Sequence, residues 1–152
     1  MRSEKTGMKL ETLIESQFDE YTKVSVKEME NIVLHNTSGK YYTKNFPLGI
    51  CLYPLLNRRE EFFLYGSPLY PDGLLITAKW QQATGTVYEK APYIVLNIKG
   101  HHPYPTIVVW DGDFTRHGVE GAYLWLKSQI GENFIDVFRI ADFLSWANKG
   151  GI

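Results

Sequence analysis

The sequence lacks the features that define several classes of protein. Its one cysteine, Cys51, excludes a disulfide within the chain and a cysteine-based zinc site. No stretch approaches the roughly 18 apolar residues needed to span a bilayer, and "MRSEKTGMKLE" lacks the apolar segment of a signal peptide. No glycine-rich phosphate loop of the Walker type occurs. We therefore expect a cytoplasmic protein with no membrane segment.

An excess of charge of one sign is also missing. Lysine and arginine number 16 and aspartate and glutamate 17, which gives a formal charge of −1. A protein that coats nucleic acid is usually basic, so this balance disfavours an extended footprint but allows a local basic rim around an acidic site. The 152 residues are 44% hydrophobic, which predicts one packed domain over residues 1–152.

The first half of the chain predicts a helix followed by strands. Apolar residues at helical spacing in "TGMKLETLIESQFDEYTK" predict the helix, with Thr6 as its cap. The next segment, "VSVKEMENIVLHNTSGKYYTKNFP", is compatible with a strand or a short helix. Apolar and aromatic content then predicts three strands, "ICLYPLL", "EEFFLYG" and "LLITAKWQ".

The second half predicts alternating helices and strands. From Thr86 the apolar spacing becomes helical, and Thr86 with Glu89 predicts a capping box. "TIVVWDGD" predicts a central parallel strand. A helix in "EGAYLWLKSQIG" that Gly131 ends, a strand in "NFIDVF" and a closing helix in "RIADFLSWANKGG" follow. This order predicts an α/β fold with helices flanking a mixed central β-sheet.

The segment "RREEFFLYGSPLYPDGLLITAKWQQ" predicts a β-hairpin. Proline and glycine in "SPLYPDG" are typical of a turn, so "EEFFLY" is expected to pair with "LLITAKWQ". Side chains alternate along a strand, which puts Thr77, Lys79 and Gln81 on one face. Glu61, on the first strand, then lies across from Lys79. A lysine inside an apolar strand needs a partner or a function, unless its ammonium reaches solvent at the strand end.

The run "YPDGLLITAKWQQATGTVYEKAPYIVLNIK" resembles a small group of nucleases in the PD-(D/E)XK superfamily. In that group the strand reads roughly Ile-Glu-Ala-Lys-Trp-Gln, and Gly-Ser-Val-Asp-Glu-Lys and a helix follow. The spacing between Lys-Trp-Gln and Gly-x-Val-x-Glu-Lys is distinctive, and the similarity extends over about residues 58 to 150. It implies a restriction-endonuclease-like core that hydrolyses phosphodiester bonds of DNA with Mg²⁺ or Mn²⁺.

The resemblance implies a role for each residue that matches the motif. Glu61 would be the first-strand acid that binds the cation, and Lys79 the lysine that acts on the attacking water or the phosphate. Gln81 would contact the scissile backbone or the lysine. Glu11, on the first helix, would hold metal-bound water, so the implied metal ligands are Glu61, Glu11 and Thr77. Without the resemblance, Glu11 and Glu61 are ordinary surface carboxylates and Gln81 ends a strand.

Position 77 departs from the motif, because Thr77 stands where the motif has an acid. A hydroxyl is a weak ligand for hard cations, and the reaction needs a cation to polarise the phosphate and activate water. Three explanations are open. The acid has migrated, to Glu89, Glu60 or Asp72. Alternatively, the chain is an inactive relative that binds DNA or a protein, or the threonine is an introduced substitution that disarms an active enzyme.

The literal Pro71–Asp72 pair is not the expected motif acid. Asp72 precedes Thr77 by five residues, and at about 3.3 Å per residue these cannot supply a strand, a turn and part of a second strand. Asp72 is better explained as a turn residue that bonds its own backbone. It would reach the site only in a strongly twisted hairpin.

Two other polar groups give weaker signals. The pair His101 and His102 lacks a third ligand at a metal-binding spacing, which favours a loop position. Asp111 and Asp113 in "WDGDFTRHG" are typical of a turn after a strand, although carboxylates there could bind a cation.

The expected partner is DNA. Arg58, Arg59, Lys90 and Lys99 are candidates for phosphate contacts, which position a nucleic acid without reading its sequence. A core this small has little extra surface, so we expect a homodimer or a partner protein that addresses the second strand. The competing hypotheses are a catalytically inactive binding module and, more remotely, an α/β protein unrelated to nucleic acids.

Overall fold

Six strands form one mixed sheet in the residues that the structure, a computed structural model, describes: 2–53, 56–82 and 86–152. Strand order in the sheet follows chain order, β2 to β4 are antiparallel, and β4 to β6 are parallel. The elements are α1 (Arg2–Glu15), β1 (Thr22–Lys23), α2 (Val26–Leu34), β2 (Tyr41–Ile50), β3 (Asn57–Tyr65), β4 (Leu74–Gln81), α3 (Val87–His101), β5 (Thr106–Gly112), α4 (His117–Ser128), β6 (Phe134–Phe138) and α5 (Ile140–Trp146). The mixed α/β sheet predicted from the sequence is confirmed.

Helices cover both faces of the sheet, and each face has its own apolar core. Leu10 and Ile14 of α1 and Phe143 of α5 pack on one face, against the side chains of β4 and β5 that include Ile76 and Val109. The other face carries Val108 and Trp110 and is covered by apolar residues of α3 and α4. Alternation along β4 therefore directs Ile76, Ala78 and Trp80 toward α1, and the odd-numbered residues from Thr77 toward α3. Among the described residues no helix is both long and apolar enough to cross a membrane.

The strand predictions around the hairpin are confirmed. β3 and β4 are antiparallel, with Phe62 opposite Ile76 and Leu64 opposite Leu74. β5 lies parallel between β4 and β6, as its continuous apolar run predicted. The ambiguous segment after the first helix contains α2 followed by β2. A capping box between Ser25 and Glu28 marks the start of α2.

Several predicted boundaries are wrong. The first helix begins at Arg2, so Thr6 lies inside it and cannot be its cap. Thr86 does precede α3, but its side chain makes no cap hydrogen bond, because its backbone is helical rather than extended. α4 begins at His117, before the predicted segment. The strand predicted over "ICLYPLL" is replaced by the end of β2 and an irregular Cys51–Tyr53 segment; Pro54 and Leu55 lie outside the described residues.

Gly112 lets β5 approach the end of β4, which carries the motif residues. Its φ is +148°, and a Cβ there would lie 1.8 Å from the backbone oxygen of Gln81. The next residue, Asp113, donates its backbone N–H to that oxygen at 2.8 Å. Because Gly112 has no side chain, the two strands lie close enough for this hydrogen bond, which fixes the last residue of β4.

Replacing Gly112 tests this constraint. Gly112→Ala should lower the free energy of unfolding by about 2 kcal/mol or more, because the new methyl group meets backbone and the φ is strained. The matched control is Gly121→Ala on α4, where a Cβ meets open space and helix propensity should add about 0.5–1 kcal/mol. Urea unfolding followed by tryptophan fluorescence measures both. Equal stabilities for the two variants would contradict the close approach.

Candidate active site

The site lies where β3 and β4 separate. Backbone pairing between them extends from Leu64 to Phe62. Beyond this point the side chain of Glu61, rather than its backbone, bonds to β4. Its Oε1 accepts the backbone N–H of Ala78 at 2.6 Å and the hydroxyl of Thr77 at 2.9 Å. The Glu61 carboxylate therefore replaces a ladder hydrogen bond and fixes the edge of the gap.

Glu60, the preceding residue, is a buried carboxylate with one unused oxygen. The residue is 1% exposed, and Arg58 donates from Nη2 to its Oε1 at 2.8 Å. Its Oε2 is buried without a hydrogen-bond partner among the described residues. Burial raises the pKa of Glu60, but the charge of Lys79 and the hydrogen bond from Arg58 outweigh burial, so its pKa lies below the ordinary value. Glu60 is therefore held ionised.

Glu61 shows the opposite shift. Burial raises its pKa, and the neighbouring charge of Glu60 raises it further. The charge of Lys79 and the hydrogen bonds from Ala78 and Thr77 oppose this rise without cancelling it. Two adjacent carboxyls thus share the charge of Lys79, and the second negative charge is unfavourable without a further cation.

A cationic cleft opens beside these carboxylates, with a volume of about 340 Å³. Its lining consists of Arg58, Ala78, Lys79, Trp80, Gln81, Lys90, Tyr93 and Ile94. Three of these side chains are cations, and the described lining includes no carboxylate. Such a cleft has the charge and the donors that bind a phosphate group.

The structure places several of the predicted site residues close to one another. Glu61, Thr77, Lys79 and Gln81 lie together at the end of β4, as the hairpin predicted. Arg58 and Lys90, two of the predicted phosphate contacts, line the same cleft as Lys79. Their roles in catalysis stay predictions.

Glu11 is not brought to Lys79. Its carboxylate lies 4.0 Å from the ammonium of Lys44, which itself sits over the ring of Phe62. Phe62 belongs to the core beneath α1, whereas Lys79 lines a cleft together with α3. Glu11 thus pairs with Lys44 of β2 and is not among the residues that line the cleft, and its role as a metal ligand stays a prediction.

Two of the three positions proposed for a migrated acid also lie elsewhere. Asp72 is an exposed turn residue at the opposite end of β4, roughly 20 Å along the chain from Lys79. Glu89 is exposed on the first turn of α3 and does not line the cationic cleft. Glu60 alone of the three lies beside Thr77. Of the remaining phosphate candidates, Arg59 donates to the backbone oxygen of Asn45 on β2 rather than lining the cleft.

The other polar groups have structural roles. Asp111 accepts the backbone N–H of Ile140, the first residue of α5, and a hydrogen bond from the side chain of Arg139. Asp111 thus satisfies a free N–H group at the start of α5. Asp113 closes a turn through Thr115. Burial lowers the pKa of His102 to about 4, and its Nδ1 lies 2.8 Å from the hydroxyl of Thr106.

The carboxylates fit a divalent cation of the magnesium type. No three His, Cys, Asp or Glu side chains cluster among the described residues, which excludes a complete protein cage there. Mg²⁺, however, is commonly held by one or two carboxylates, with waters and substrate phosphates completing its shell. Glu60 and Glu61 supply two carboxylates, and the buried unpaired Oε2 of Glu60 is an oxygen that such a cation would satisfy.

Comparison with protein families assigns the chain to a family. A family model described as "PD-(D/E)XK nuclease superfamily domain" matches residues 2–151. The chain belongs to the PD-(D/E)XK nuclease superfamily, which confirms the resemblance found in the sequence. No curated protein and no solved structure matches the chain significantly.

The opposite pKa shifts predict opposite effects of the same substitution. Glu61 has a raised pKa in the folded state, so its ionisation costs stability, and this cost appears as pH rises from the ordinary carboxyl range through the folded-state value. Glu61→Gln should therefore raise the free energy of unfolding at pH 7. The gain should vanish below about pH 4, where Glu61 is protonated in both states.

Glu60→Gln is the matched control. The pKa of Glu60 is lowered, so its stabilising effect is present above the ordinary carboxyl range and is lost as pH falls through the folded-state value. At pH 7 this variant should lose roughly 3 kcal/mol, because Arg58 keeps a buried charge without its partner. Thermal unfolding of both variants between pH 3 and 8 compares them. Shifts of the same sign at pH 7 would contradict the assigned environments.

Proposed function

We propose that the chain is a divalent-metal-dependent nuclease that hydrolyses phosphodiester bonds of DNA. The observation that carries this proposal is the convergence of two consecutive carboxylates, Glu60 and Glu61, on Thr77 and Lys79 beside a cationic cleft. Membership of the superfamily supports the nuclease class. Glu60 would then be the acid that replaces the one missing at position 77.

The chain's own residues would divide the work as follows. Glu60 and Glu61 would hold Mg²⁺ or Mn²⁺, which polarises a phosphate and lowers the pKa of bound water. Lys79, in the cleft, would attract the non-bridging phosphate oxygens and orient the attacking water. Gln81, two residues further along the same face, would contact the backbone next to the scissile phosphate.

Arg58 and Lys90 would position the flanking phosphates. Both cations line the cleft with Lys79, and such contacts fix the register of a nucleic acid without reading bases. Arg58 is already paired with Glu60 at 2.8 Å. A cation bound by Glu60 would release the guanidinium toward the phosphate, so metal and substrate binding would support each other.

A second candidate function is DNA binding without cleavage. Arg58 already neutralises Glu60, and Thr77 and Ala78 already satisfy one oxygen of Glu61. These contacts give each carboxylate a partner for one oxygen without a metal, and Thr77 adds no ligand of the kind that hard cations prefer. On this alternative the cationic cleft binds phosphate, and no bond is cut.

We also expect a homodimer or a partner protein. Leu124 and Trp125 of α4 are exposed apolar side chains, and Tyr88 of α3 lies in the same groove as Trp125. Apolar surface of this kind is typical of contacts between proteins. This expectation stays a prediction.

Lys79 should be required for cleavage. Purified protein incubated with plasmid and with a labelled single-stranded oligonucleotide should cut in Mn²⁺ or Mg²⁺, and EDTA should abolish cutting. Lys79→Met should reduce the rate by about 100-fold or more, measured at a temperature where circular dichroism shows the variant folded, because Glu60 and Glu61 also lose the stabilising charge of Lys79. Lys27→Met, on an exposed position of α2, is the control and should cut like the natural chain. Equal rates for the two variants would sink the site assignment.

Thr77→Glu should strengthen metal binding and metal-dependent cutting. The hydroxyl of Thr77 lies 2.9 Å from Glu61, so a carboxylate at this position would join the two glutamates. Thr77→Val, which removes the hydroxyl at similar volume, is the control and should gain nothing. Calorimetric titration with Mn²⁺ measures affinity independently of cleavage.

The natural chain and Thr77→Glu together distinguish the explanations for Thr77. Cutting by both proteins supports Glu60 as the migrated acid. Cutting by Thr77→Glu alone identifies a nuclease disarmed at one ligand. If neither cuts but both bind DNA, the binding module is the correct function. A change in stability with no gain in Mn²⁺ affinity would show that position 77 does not face the carboxylates.

A further inference from the structure

An exposed aromatic ring lies at the edge of the cationic cleft. Tyr53 stacks on Tyr93, with ring centroids 5.4 Å apart and planes inclined by 25°, and Tyr53 is 57% exposed. Tyr93 itself lines the cleft, and the guanidinium of Arg58 lies 5.2 Å from its ring centre. The two tyrosines therefore extend an aromatic surface outward from the expected phosphate position.

Buried hydrogen bonds hold this surface in place. The backbone N–H of Leu52 donates to Oδ1 of Asn97 at 2.8 Å, and Nδ2 of the same asparagine donates to the Tyr93 carbonyl at 3.0 Å. Asn97 is fully buried in α3, so it ties the residue before Tyr53 to the helix that carries Tyr93. The Cys51 thiol adds a contact of 3.7 Å to the Tyr93 hydroxyl. The ring of Tyr53 is thus held in a defined position while one part of it stays exposed to solvent.

A second concavity, the tyrosine hollow, adjoins the cleft. It measures about 360 Å³ and is lined by Tyr53, Thr86, Glu89, Lys90 and Tyr93. Lys90 and Tyr93 also line the cationic cleft, so the two concavities are neighbours that share these two side chains. A ligand with a phosphate in the cleft would carry its next chemical group into the tyrosine hollow.

The chemistry of the tyrosine hollow favours a nucleobase over a second phosphate. Tyrosine faces stack on any base, typically contributing about 1–3 kcal/mol per base. The carboxylate of Glu89 would repel a phosphate, but it accepts hydrogen bonds from the N–H groups of bases, which every base carries when it is unpaired. In duplex DNA both faces of a base are already stacked, so only an unpaired base is free to use the ring of Tyr53.

We propose that the tyrosine hollow binds an unpaired base, and that the substrate is single-stranded DNA held with its phosphate at Lys79. This inference rests on the proposed function and specifies its substrate. It agrees with the nearly neutral chain, because a stacked base and a few phosphate contacts need no extended basic surface. Tyr53 is then a specificity-determining residue outside the cleft.

Binding in EDTA tests the inference without cleavage. Fluorescence anisotropy would compare fluorescein-labelled dT12 with a blunt duplex of twelve base pairs. Tyr53→Ala should weaken dT12 binding by about 5- to 150-fold, the loss expected for one stacked base, and leave duplex binding unchanged. Tyr53→Phe keeps the ring and should bind dT12 within about twofold of the natural chain, since phenylalanine also presents a stacking face.

Two further readouts identify stacking itself. An oligonucleotide that contains 2-aminopurine should lose fluorescence on binding the natural chain, because stacking quenches the base, and this quenching should be absent in Tyr53→Ala. Leu69→Ala is the control, since Leu69 is a similarly exposed apolar side chain in the turn between β3 and β4 and lines neither concavity. It should bind dT12 like the natural chain.

The outcomes separate this inference from the function on which it rests. If neither DNA binds to the natural chain, the proposed function fails and the inference fails with it. If dT12 binds and Lys79→Met weakens it, but Tyr53→Ala binds normally and quenches 2-aminopurine, the base site is overturned and the nuclease proposal stands. Equal losses on dT12 and duplex in Tyr53→Ala would also overturn the base site.

Discussion

The site depends on the Glu61 carboxylate bridging two strands at the point where their backbones separate. A sheet that stayed paired to the end of β4 would leave no room for a substrate beside Lys79. A sheet that opened without a substitute hydrogen bond would leave the N–H of Ala78 unsatisfied, which is costly for a buried backbone group. One carboxylate oxygen solves both problems, since it accepts from Ala78 and from Thr77. The position of the motif strand is thereby coupled to the acid of the preceding strand.

The balance of charge around this bridge follows from burial. Glu60 and Glu61 bring two negative charges into a poorly solvated place, and Lys79 acts on both. Arg58 completes neutrality by pairing with Glu60. The pair is monodentate: Nε of Arg58 and Oε2 of Glu60 are both buried without partners in the described part of the chain. An incompletely bonded ion pair in a buried place is easier to exchange for another ligand than a closed one.

Much of this site could be predicted from the sequence, for a physical reason. Strict alternation in a strand places Thr77, Lys79 and Gln81 on one face, and a tight turn determines which strand lies opposite. The hairpin therefore brings Glu61 to β4 without any knowledge of the remaining fold. The α/β order was equally accessible, because a continuous apolar strand such as β5 needs helices on both faces.

The parts that failed depend on contacts that local patterns do not contain. Alternation predicts that Glu60 and Glu61 point apart, yet both act on Thr77, because Glu61 turns into the gap between strands rather than onto a face. β2 is irregular alongside, with a positive φ at Asn45 of 54°. Helical spacing shows which residues share a stripe but not what lies opposite that stripe, so the pairing of Glu11 with Lys44 of β2 had no signal in the sequence. Tyr53 gave no signal, since its position depends on the buried side chain of Asn97, far away in the sequence.

The proposed function requires a chain without excess positive charge to bind a polyanion. Three cations, Arg58, Lys79 and Lys90, line one cleft, and Glu60 balances part of the charge of Arg58 and Lys79. The ion pair with Glu60 neutralises part of the positive charge of Arg58. The affinity of the cleft for phosphate should therefore depend on whether a cation is bound to Glu60. A divalent cation at the carboxylates would have two effects. It would free the guanidinium of Arg58 from Glu60, and it would make the electrostatic potential of the cleft more positive. Under the proposed function, Glu60 would then both hold the cation and control the affinity of the cleft for substrate.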